Sequence, residues 1–530
     1  MRKWRSRKLE KAPCEKHSGA VEKAGRNGDL NTPPASPISI DIAGGGLAGL
    51  GLAIETRLKL GGAVRIRIFD HRWTTAEDGS IRWRDQADGN NRRRQVITIQ
   101  SKVWSLLSPE VQRALFVKGN YTETWPNGPD SPESVGRPRN IQIRWIESRL
   151  LELAQKIGGI ELVPERYSPP ADWKDIDFLI IADGARSRTR EELKASFGTP
   201  SRELFSIDGS GYDEVVLGLE VQSDLLDEHT VPLTVAQNRF LFNPLDRKGF
   251  INMRLTPAEA SEVVGLGSDG PVSCIQGSPC VMRPGPRGFT CETHNAVFKP
   301  SVDPTSFLWP RIVDGLRYFG VPAHHGLLGI TSFTLGMTQH QRFVAEIAPG
   351  TFAIVLGDAG PGNFHFWPGR GGNAALKGMI AAVREIVRLS EKRVIRLADM
   401  TRLEGFLHQL QFREKSRAWT TMLMPTAEGT PYLIHDRIEA GLRSDESRET
   451  LLASMLSRIE AIKSRLEPRM GQLPDAQWYA DRLIGLDNRT LAVFMETDSW
   501  FTAQVGGEEV SVDTNFPFTE ESSDVQRSTQ

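Results

Sequence analysis

Three glycines and three aspartates carry the chemistry this sequence is able to do. Gly44, Gly46 and Gly49 fill a G-x-G-x-x-G frame inside the run Ile38-Ser-Ile-Asp-Ile-Ala-Gly-Gly-Gly-Leu-Ala-Gly-Leu-Gly-Leu-Ala53. Each has a separate physical job: Gly44 permits a sharp turn, Gly46 lets a pyrophosphate approach the backbone, and Gly49 lets a helix pack closely on the strand. Amides at the helix start, among them those of Leu47 and Ala48, face the phosphates together with the positive end of the helix dipole. Asp70 ends the next apolar strand, about two dozen residues past the first glycine, where an acid binds a ribose hydroxyl pair. Asp183, before Gly184, and Asp358, after Gly357, each close a buried apolar run. Carboxyl ends of parallel strands are where open α/β sheets keep ligands. The chemistry is dinucleotide binding. For Asp183 a plain helix cap is the competing reading.

The elements that must position these residues follow from periodicity. Ile38 to Ala43 is a strand, a helix runs through Leu52, Ala53 and Leu58 to the Gly61-Gly62 stop, and Val64 to Phe69 is the second strand. Gln95 to Gln100 alternates as a strand. Ser101 onward is helical, with a second short helix after Ser108-Pro109. Ile141 to Ala154 reads as an amphipathic helix, Ile160 to Val163 as a strand, and Ile176 to Ala182 as a buried strand. From Val215 the texture becomes β-rich: Val215 to Val221, Arg239 to Phe242 and Gly249 to Leu255 predict an antiparallel sheet. Val263 to about Pro300, rich in Gly, Pro and Ser, reads as a loop insertion. Thr351 to Asp358 is strand, residues 362–368 are loop, and Gly369 opens a helix running to about Leu389. Val394 to about Glu467 is mostly helical.

Composition narrows the function classes. The chain has 530 residues, 39% apolar and 25% charged, with a formal net charge of -1, which argues against a nucleic-acid binder. No apolar run approaches the roughly 20 residues that span a bilayer. Met1 to about Pro37 reads as a disordered basic tail. Glu10, Glu15 and Glu22 fit a transit peptide poorly, and the acidic end after Val512 reads as frayed. The four cysteines, Cys14, Cys274, Cys280 and Cys291, make no disulfide framework, so a cytoplasmic location is expected. Cys274, Cys280, Cys291 and His294 lack the C-x-x-C pairing of common zinc sites, and no metal is expected. Arg92 to Arg94 read as a solvated loop in preference to a nicotinamide phosphate site. His324, His325 and His340 read as ordinary polar residues. Phe366 and Trp367 fit a substrate wall or core packing equally.

Taken together, the glycine turn, Asp183-Gly184 with Ser187 and Arg190 in a D-G-x-x-S-x-x-R frame, and Gly357-Asp358 with Pro368 to Asn373 resemble the three fingerprints of single-component flavoprotein monooxygenases of the para-hydroxybenzoate hydroxylase type. The resemblance covers about Ile38 to Leu389. It implies an α/β fold: a Rossmann-like FAD-binding domain (38–205 and 345–393) with an inserted β-sheet substrate domain (206–344) and a helical C-terminal region (394–530). By the same resemblance Asp70 binds the adenosine ribose and Arg144 approaches the FAD pyrophosphate. Asp183 contacts the FAD and helps place NAD(P)H, and Asp358 holds the ribitol chain. The turn from Pro368 through Gly371 and Gly372 to Asn373 lies beside the flavin ring. Amides at a helix start there suit the negative charge of reduced flavin. The implied reaction is FAD-dependent hydroxylation of an aromatic or apolar small molecule with NAD(P)H and O2, through a flavin hydroperoxide. An FAD-linked dehydrogenase or reductase on the same fold and a flavin-binding redox-signalling protein are the alternatives. A homodimer stays open.

The chain departs from the family in two places. Where the family reads G-D-A-A-H-x-x-x-P, the run here is Gly357-Asp-Ala-Gly-Pro361, leaving His365 as the catalytic candidate in that loop. The usual P-x-x-G-x-G-x-N is shortened to Pro368-Gly-Arg-Gly-Gly-Asn373. The W-x-W-x-I-P motif of flavin halogenases is absent; Phe364-His-Phe-Trp367 is not that motif.

Overall fold

The computed structural model describes residues 37–497, except 86–87, 89, 91, 127–135, 208–209, 212, 275–279, 286–287, 293, 323–324, 361–369 and 426–430. The expected basic tail, the frayed acidic end, His324, and the loop carrying His365, Phe366, Trp367 and Pro368 lie outside the described residues.

In chain order, β1 (Ile38–Ala43) leads through α1 (Leu47–Leu60) to β2 (Val64–Phe69). Then come β3 (Val96–Ile99), β4 (Arg139–Gln142), α2 (Ile143–Ile157), β5 (Ile160–Val163), β6 (Phe178–Ile181) and α3 (Arg188–Glu192). A strand-rich stretch follows: β7 (Asp213–Gln222), β8 (Phe240–Leu245), β9 (Lys248–Leu255), β10 (Val264–Gly267), β11 (Gly270–Ser273), β12 (Cys280–Gly285), β13 (Gly288–Cys291) and β14 (Ala296–Phe298). After α4 (Leu308–Tyr318) the chain forms β15 (Leu327–Gly336), β16 (Val344–Ala348) and β17 (Thr351–Val355). It then turns helical as α5 (Arg370–Leu389), α6 (Thr401–Met422), α7 (Arg448–Met470) and α8 (Asn488–Glu496).

Two large sheets organise these elements. The first has the order β16-β17-β6-β1-β2-β5 and is parallel except for its edge strand β16. Alternate residues of its strands face opposite sides. Ile40, Ile42, Ile66, Ile68, Phe178, Ile180, Phe352 and Ile354 pack under α1, α2, α5 and α6, while Leu179, Ile181, Ala353 and Val355 pack with Tyr167 and Phe197. The second sheet is antiparallel, in the order β8-β9-β7-β15-β12-β13-β14-β10-β11. Its core also takes Leu451, Met455, Ile459, Ile462 and Leu466 from α7 and Leu491 and Phe494 from α8. No helix among the described residues is long and apolar enough to cross a membrane.

Two local expectations are corrected. The helix expected from Ile141 begins at Ile143, because Arg139–Gln142 pairs with β3 in the register Val96↔Gln142 to Ile99↔Arg139. A ladder of backbone hydrogen bonds there outweighs helical periodicity. Val263 to Pro300 is not a loop insertion: it forms β10 to β14, five strands that extend the antiparallel sheet. Their glycine and proline content hides the alternation that would have revealed them.

Candidate functional site

β1 lies between β2 and β6, so the chain leaves it in one direction and later returns on its other side. Such a switch point opens a crevice at the strand ends. The structure has a cavity of about 260 Å³ there, lined by the ends of β1, β2 and β6 and by the turns that follow them.

Its floor is the glycine turn. Gly44 has φ +103°, and a Cβ on it would lie 2.5 Å from the Ala182 carbonyl oxygen, so the turn after β1 is pressed against the turn after β6. A Cβ on Gly49 would lie 1.9 Å from the Gly44 carbonyl oxygen, which makes this the point where α1 meets the turn. Gly46 is different: its nearest atoms would be 3.8 and 4.0 Å away, on Arg72 and Glu147, so its bare backbone faces open space in the cavity. As N-cap of α1, Gly46 brings no side chain to the orphan amides of the first turn, and that turn holds no acid. These amides and the helix dipole favour an anion.

The cavity walls are basic. Arg72, Arg93, Arg166, Arg186 and Arg188 line it, against only Asp70 and Asp183. Asp70 accepts the Gly45 N–H at 2.8 Å and a bidentate pair from Arg72. Burial pushes its carboxyl up, but Arg72 and the backbone amides outweigh that and hold it below the usual carboxylate range. Buried Glu147 of α2 pairs with Arg72, Arg92 and Arg93 at 3.3, 3.6 and 3.3 Å. Arg94 pairs with Glu220 of β7 at 2.8 Å. The triple arginine is a loop, as expected, with Arg93 exposed, but each member also has a carboxylate partner, and Arg93 reaches the cavity.

Asp183 lines the cavity and also accepts the Thr189 N–H at 3.2 Å and the Thr189 hydroxyl at 2.9 Å. It thus ties down the first turn of α3, but the cap of that helix is Ser187, whose hydroxyl accepts the Arg190 N–H at 3.0 Å. Gly184 beside it has φ +93°. Arg190 of α3 reaches across to donate to the Ala359 carbonyl, joining the second fingerprint to the third. Arg144 is not among the cavity-lining side chains. Its Nε donates to Gln142 at 2.8 Å, and its charge lies near Arg94 and Glu220.

Asp358 sits in a short turn after β17, half-buried. Its carboxyl is raised by burial, a shift opposed by Arg93 and Lys415. Gly357 has φ +60°, and a Cβ on it would touch Ala48 of α1 at 3.5 Å and Ala375 of α5 at 3.7 Å. A Cβ on Gly372 would lie 2.9 Å from Ile97 and 3.9 Å from Leu47. Leu47, Ala48, Gly357, Gly371 and Gly372 are thus brought to one place, where the starts of α1 and α5 converge. The Asn373 side chain accepts from the Gln100 N–H at 2.9 Å and donates to the Thr98 carbonyl at 2.8 Å. It anchors the start of α5 to β3. The Thr98 hydroxyl, in turn, bonds Asn243 of β8 at 3.1 Å, which carries the anchor into the antiparallel sheet.

Sequence reasoning passed over Lys415 of α6, which is fully buried. Its Nζ donates to the Thr338 carbonyl and to Gln411. Burial first, and then Arg190, lower its pKa to about 7, against the pull of Asp358. His340, held neutral by burial with a pKa of about 3, lies beside it. Neither sits in a motif, and a lysine in a helix of mixed composition gives no signal until packing is known. Arg72, Arg166 and Glu147 were missed for the same reason.

No family model matches the chain, and no curated protein matches it. Solved structures do. The flavin-dependent monooxygenase PieE, in complex with FAD and substrate, is 15% identical with a TM-score of 0.47, covering 88% of this chain and 73% of that one. 2-Methyl-3-hydroxypyridine-5-carboxylic acid oxygenase, in a tetrameric form, is 14% identical with a TM-score of 0.42, covering 72% and 91%. p-Nitrophenol 4-monooxygenase from Pseudomonas putida is 10% identical with a TM-score of 0.44, covering 86% and 98%. At these scores the functional reading rests on the chain's own geometry.

Proposed function

We propose that this chain is an FAD-dependent monooxygenase that oxygenates an aromatic or apolar small molecule with NAD(P)H and O2. One observation carries the reading: the three fingerprint segments, scattered over the chain, touch one another around the starts of α1 and α5. Gly44 abuts Ala182, Ala48 lies against Gly357, and Leu47 lies against Gly372. One helix start with five arginines suits a pyrophosphate; a second start beside Asp358 suits a second electron-rich group of the same ligand.

The residues present fit FAD, because Gly46 leaves the backbone bare where a diphosphate must lie and a Cβ would intrude. When bound, FAD supplies the redox and oxygen-transfer chemistry. In this reading, the amides of Leu47 and Ala48 with Arg72 and Arg93 hold the diphosphate. Asp70 orients a ribose while fastening the glycine turn through Gly45. Asp183 and Gly184 shape the cavity wall, and Asp358 accepts hydrogen bonds from the hydroxyls of the ribitol chain. Gly371 and Gly372 allow close approach of the ring. Lys415 holds a proton at Nζ within the electrostatic reach of Asp358. The Asn373-Thr98-Asn243 connection fixes the sheet that bears substrate relative to the start of α5. NAD(P)H is a transient visitor, and His365 remains the candidate for an added catalytic group.

The test is the absorption spectrum of purified protein, with flavin identified after denaturation. Oxygen uptake and NAD(P)H oxidation are then followed with phenols, aromatic acids and indoles. Bound FAD with substrate-stimulated oxygen uptake is expected. Bound FAD with NAD(P)H oxidation that needs an added artificial electron acceptor and consumes no oxygen would favour the dehydrogenase or reductase alternative. A protein that takes up no FAD overturns the proposal.

A further inference from the structure

The hairpins that replaced the expected loop bring together residues whose sequence spacing argued against a metal. Cys274 follows β11, Cys280 opens β12, Cys291 closes β13, and His294 lies in the turn before β14. One ligand atom from each of Cys280, Cys291 and His294 lies within 4.8 Å of the other two. The Cys280 and Cys291 sulfurs are 3.6 and 3.5 Å from His294 Nδ1. Cys280 is in turn in side-chain contact with both Cys274 and Cys291, while the Cys274 sulfur stands outside that 4.8 Å cluster. No disulfide joins the three cysteines.

We propose that Cys280, Cys291 and His294 hold a structural zinc ion, with Cys274, beside Cys280, drawn in as the fourth ligand. Three arguments carry it. In a tetrahedral site with Zn–S about 2.3 Å and Zn–N about 2.0–2.1 Å, the sulfur-to-nitrogen edge is roughly 3.6 Å. Both measured edges fall on that length. A disulfide would instead consume two sulfurs and give the imidazole no part. Next, three thiolates with one imidazole form a closed, soft ligand set that selects zinc and leaves no position open for catalysis. Finally, the region needs such a tie. β10, β11 and β13, with sequences VGLG, GPVS and GFTC, are short and carry few large apolar side chains. Zinc would close the ends of β11, β12 and β13 and the turn into β14 at one point, adding binding energy where core burial is thin. The cavity described above takes no lining residue from this region. The metal is therefore a brace for the outer half of the antiparallel sheet. Binding is a proton exchange without redox change: the thiols lose their protons to solvent as the Zn–S bonds form.

The experiment is elemental analysis of the full-length chain, purified from zinc-supplemented culture and passed through a gel-filtration column in buffer with EDTA. About one zinc per chain is expected, with at least a tenfold fall in Cys291→Ser and His294→Ala. Cobalt exchanged into the wild type should give the strong visible bands of a tetrahedral ion and a thiolate charge-transfer band, weaker in Cys274→Ser. A soluble, monodisperse wild-type chain that carries below about a tenth of an equivalent of zinc and binds no cobalt after reduction overturns the proposal. So does a Cys280–Cys291 disulfide found in that protein by mass spectrometry. Because wild-type metal content is read first, the outcome does not depend on the variants folding, nor on flavin.

Discussion

At the residue scale the three motif glycines are not equivalent, and the difference is measurable. Gly49→Ala drives a methyl into the Gly44 carbonyl at 1.9 Å, so it should lower stability by about 3 kcal/mol. A fall in the thermal midpoint checks this, and an unchanged midpoint would contradict the contact. Gly46→Val places its Cβ no nearer than 3.8 Å to any atom and has ordinary extended backbone. It should keep the wild-type midpoint yet lose the yellow colour of bound flavin. Asp358→Ala should lose colour as well; normal flavin content in both variants would sink the site assignment. Lys415 makes a pH prediction. Its native pKa is near 7 against 10.5 for an ordinary lysine, so between those values the unfolded chain binds more protons than the folded one. Stability should therefore rise with pH across that window. Lys415→Met should remove that rise in denaturant titrations at pH 6.5 and 9, leaving a shallower profile.

At the element scale the site depends on where α5 begins. Asn373 holds that start to β3 with both ends of its amide. Removing it in Asn373→Ala leaves the buried Gln100 N–H and Thr98 carbonyl without those bonds, at a cost of about 2 kcal/mol. Flavin affinity should fall together with the thermal midpoint; weakened stability with full affinity would show that α5 is positioned by something else. This level also shows what the sequence makes legible. The strand, turn and helix around Gly44 to Gly49 are plain because buried parallel strands are long apolar runs and glycines punctuate them. The end of β4, Ile141 and Gln142, was read as helix because two strand residues at the head of a longer amphipathic pattern are outvoted until their partner strand is known. β10 to β14 were illegible for a deeper reason: short strands with glycine and proline declare themselves through pairing and, in the proposed zinc brace, through ligands spread over the ends of several strands. The carboxylate partners of Arg92 to Arg94 were not legible because Glu147 and Glu220 lie far along the chain.

At the scale of the whole molecule, the C-terminal helices, whose role the sequence left undecided, share the core of the antiparallel sheet. Ending the chain at Asp445 would expose the face covered by Leu451, Met455, Ile459, Ile462 and Leu466. Loss of that burial, on the order of 10 kcal/mol, rivals the net stability of a typical domain. The truncated chain should be insoluble or bind a hydrophobic dye strongly; a soluble, flavin-containing product would show that α7 is dispensable. The order of strands in the first sheet has a consequence in time. β6 pairs with β1 on one side but must wait for β17 on the other, with Phe178 finally opposite Phe352. At a synthesis rate of about 5–20 residues per second, the intervening stretch of about 170 residues leaves the ribosome only after roughly ten to thirty seconds. Throughout that interval the nascent chain carries an open, apolar strand edge, the feature that templates aggregation. Newly made chains should therefore be more aggregation-prone than the finished protein, and a chaperone that shields that edge during translation should raise the yield.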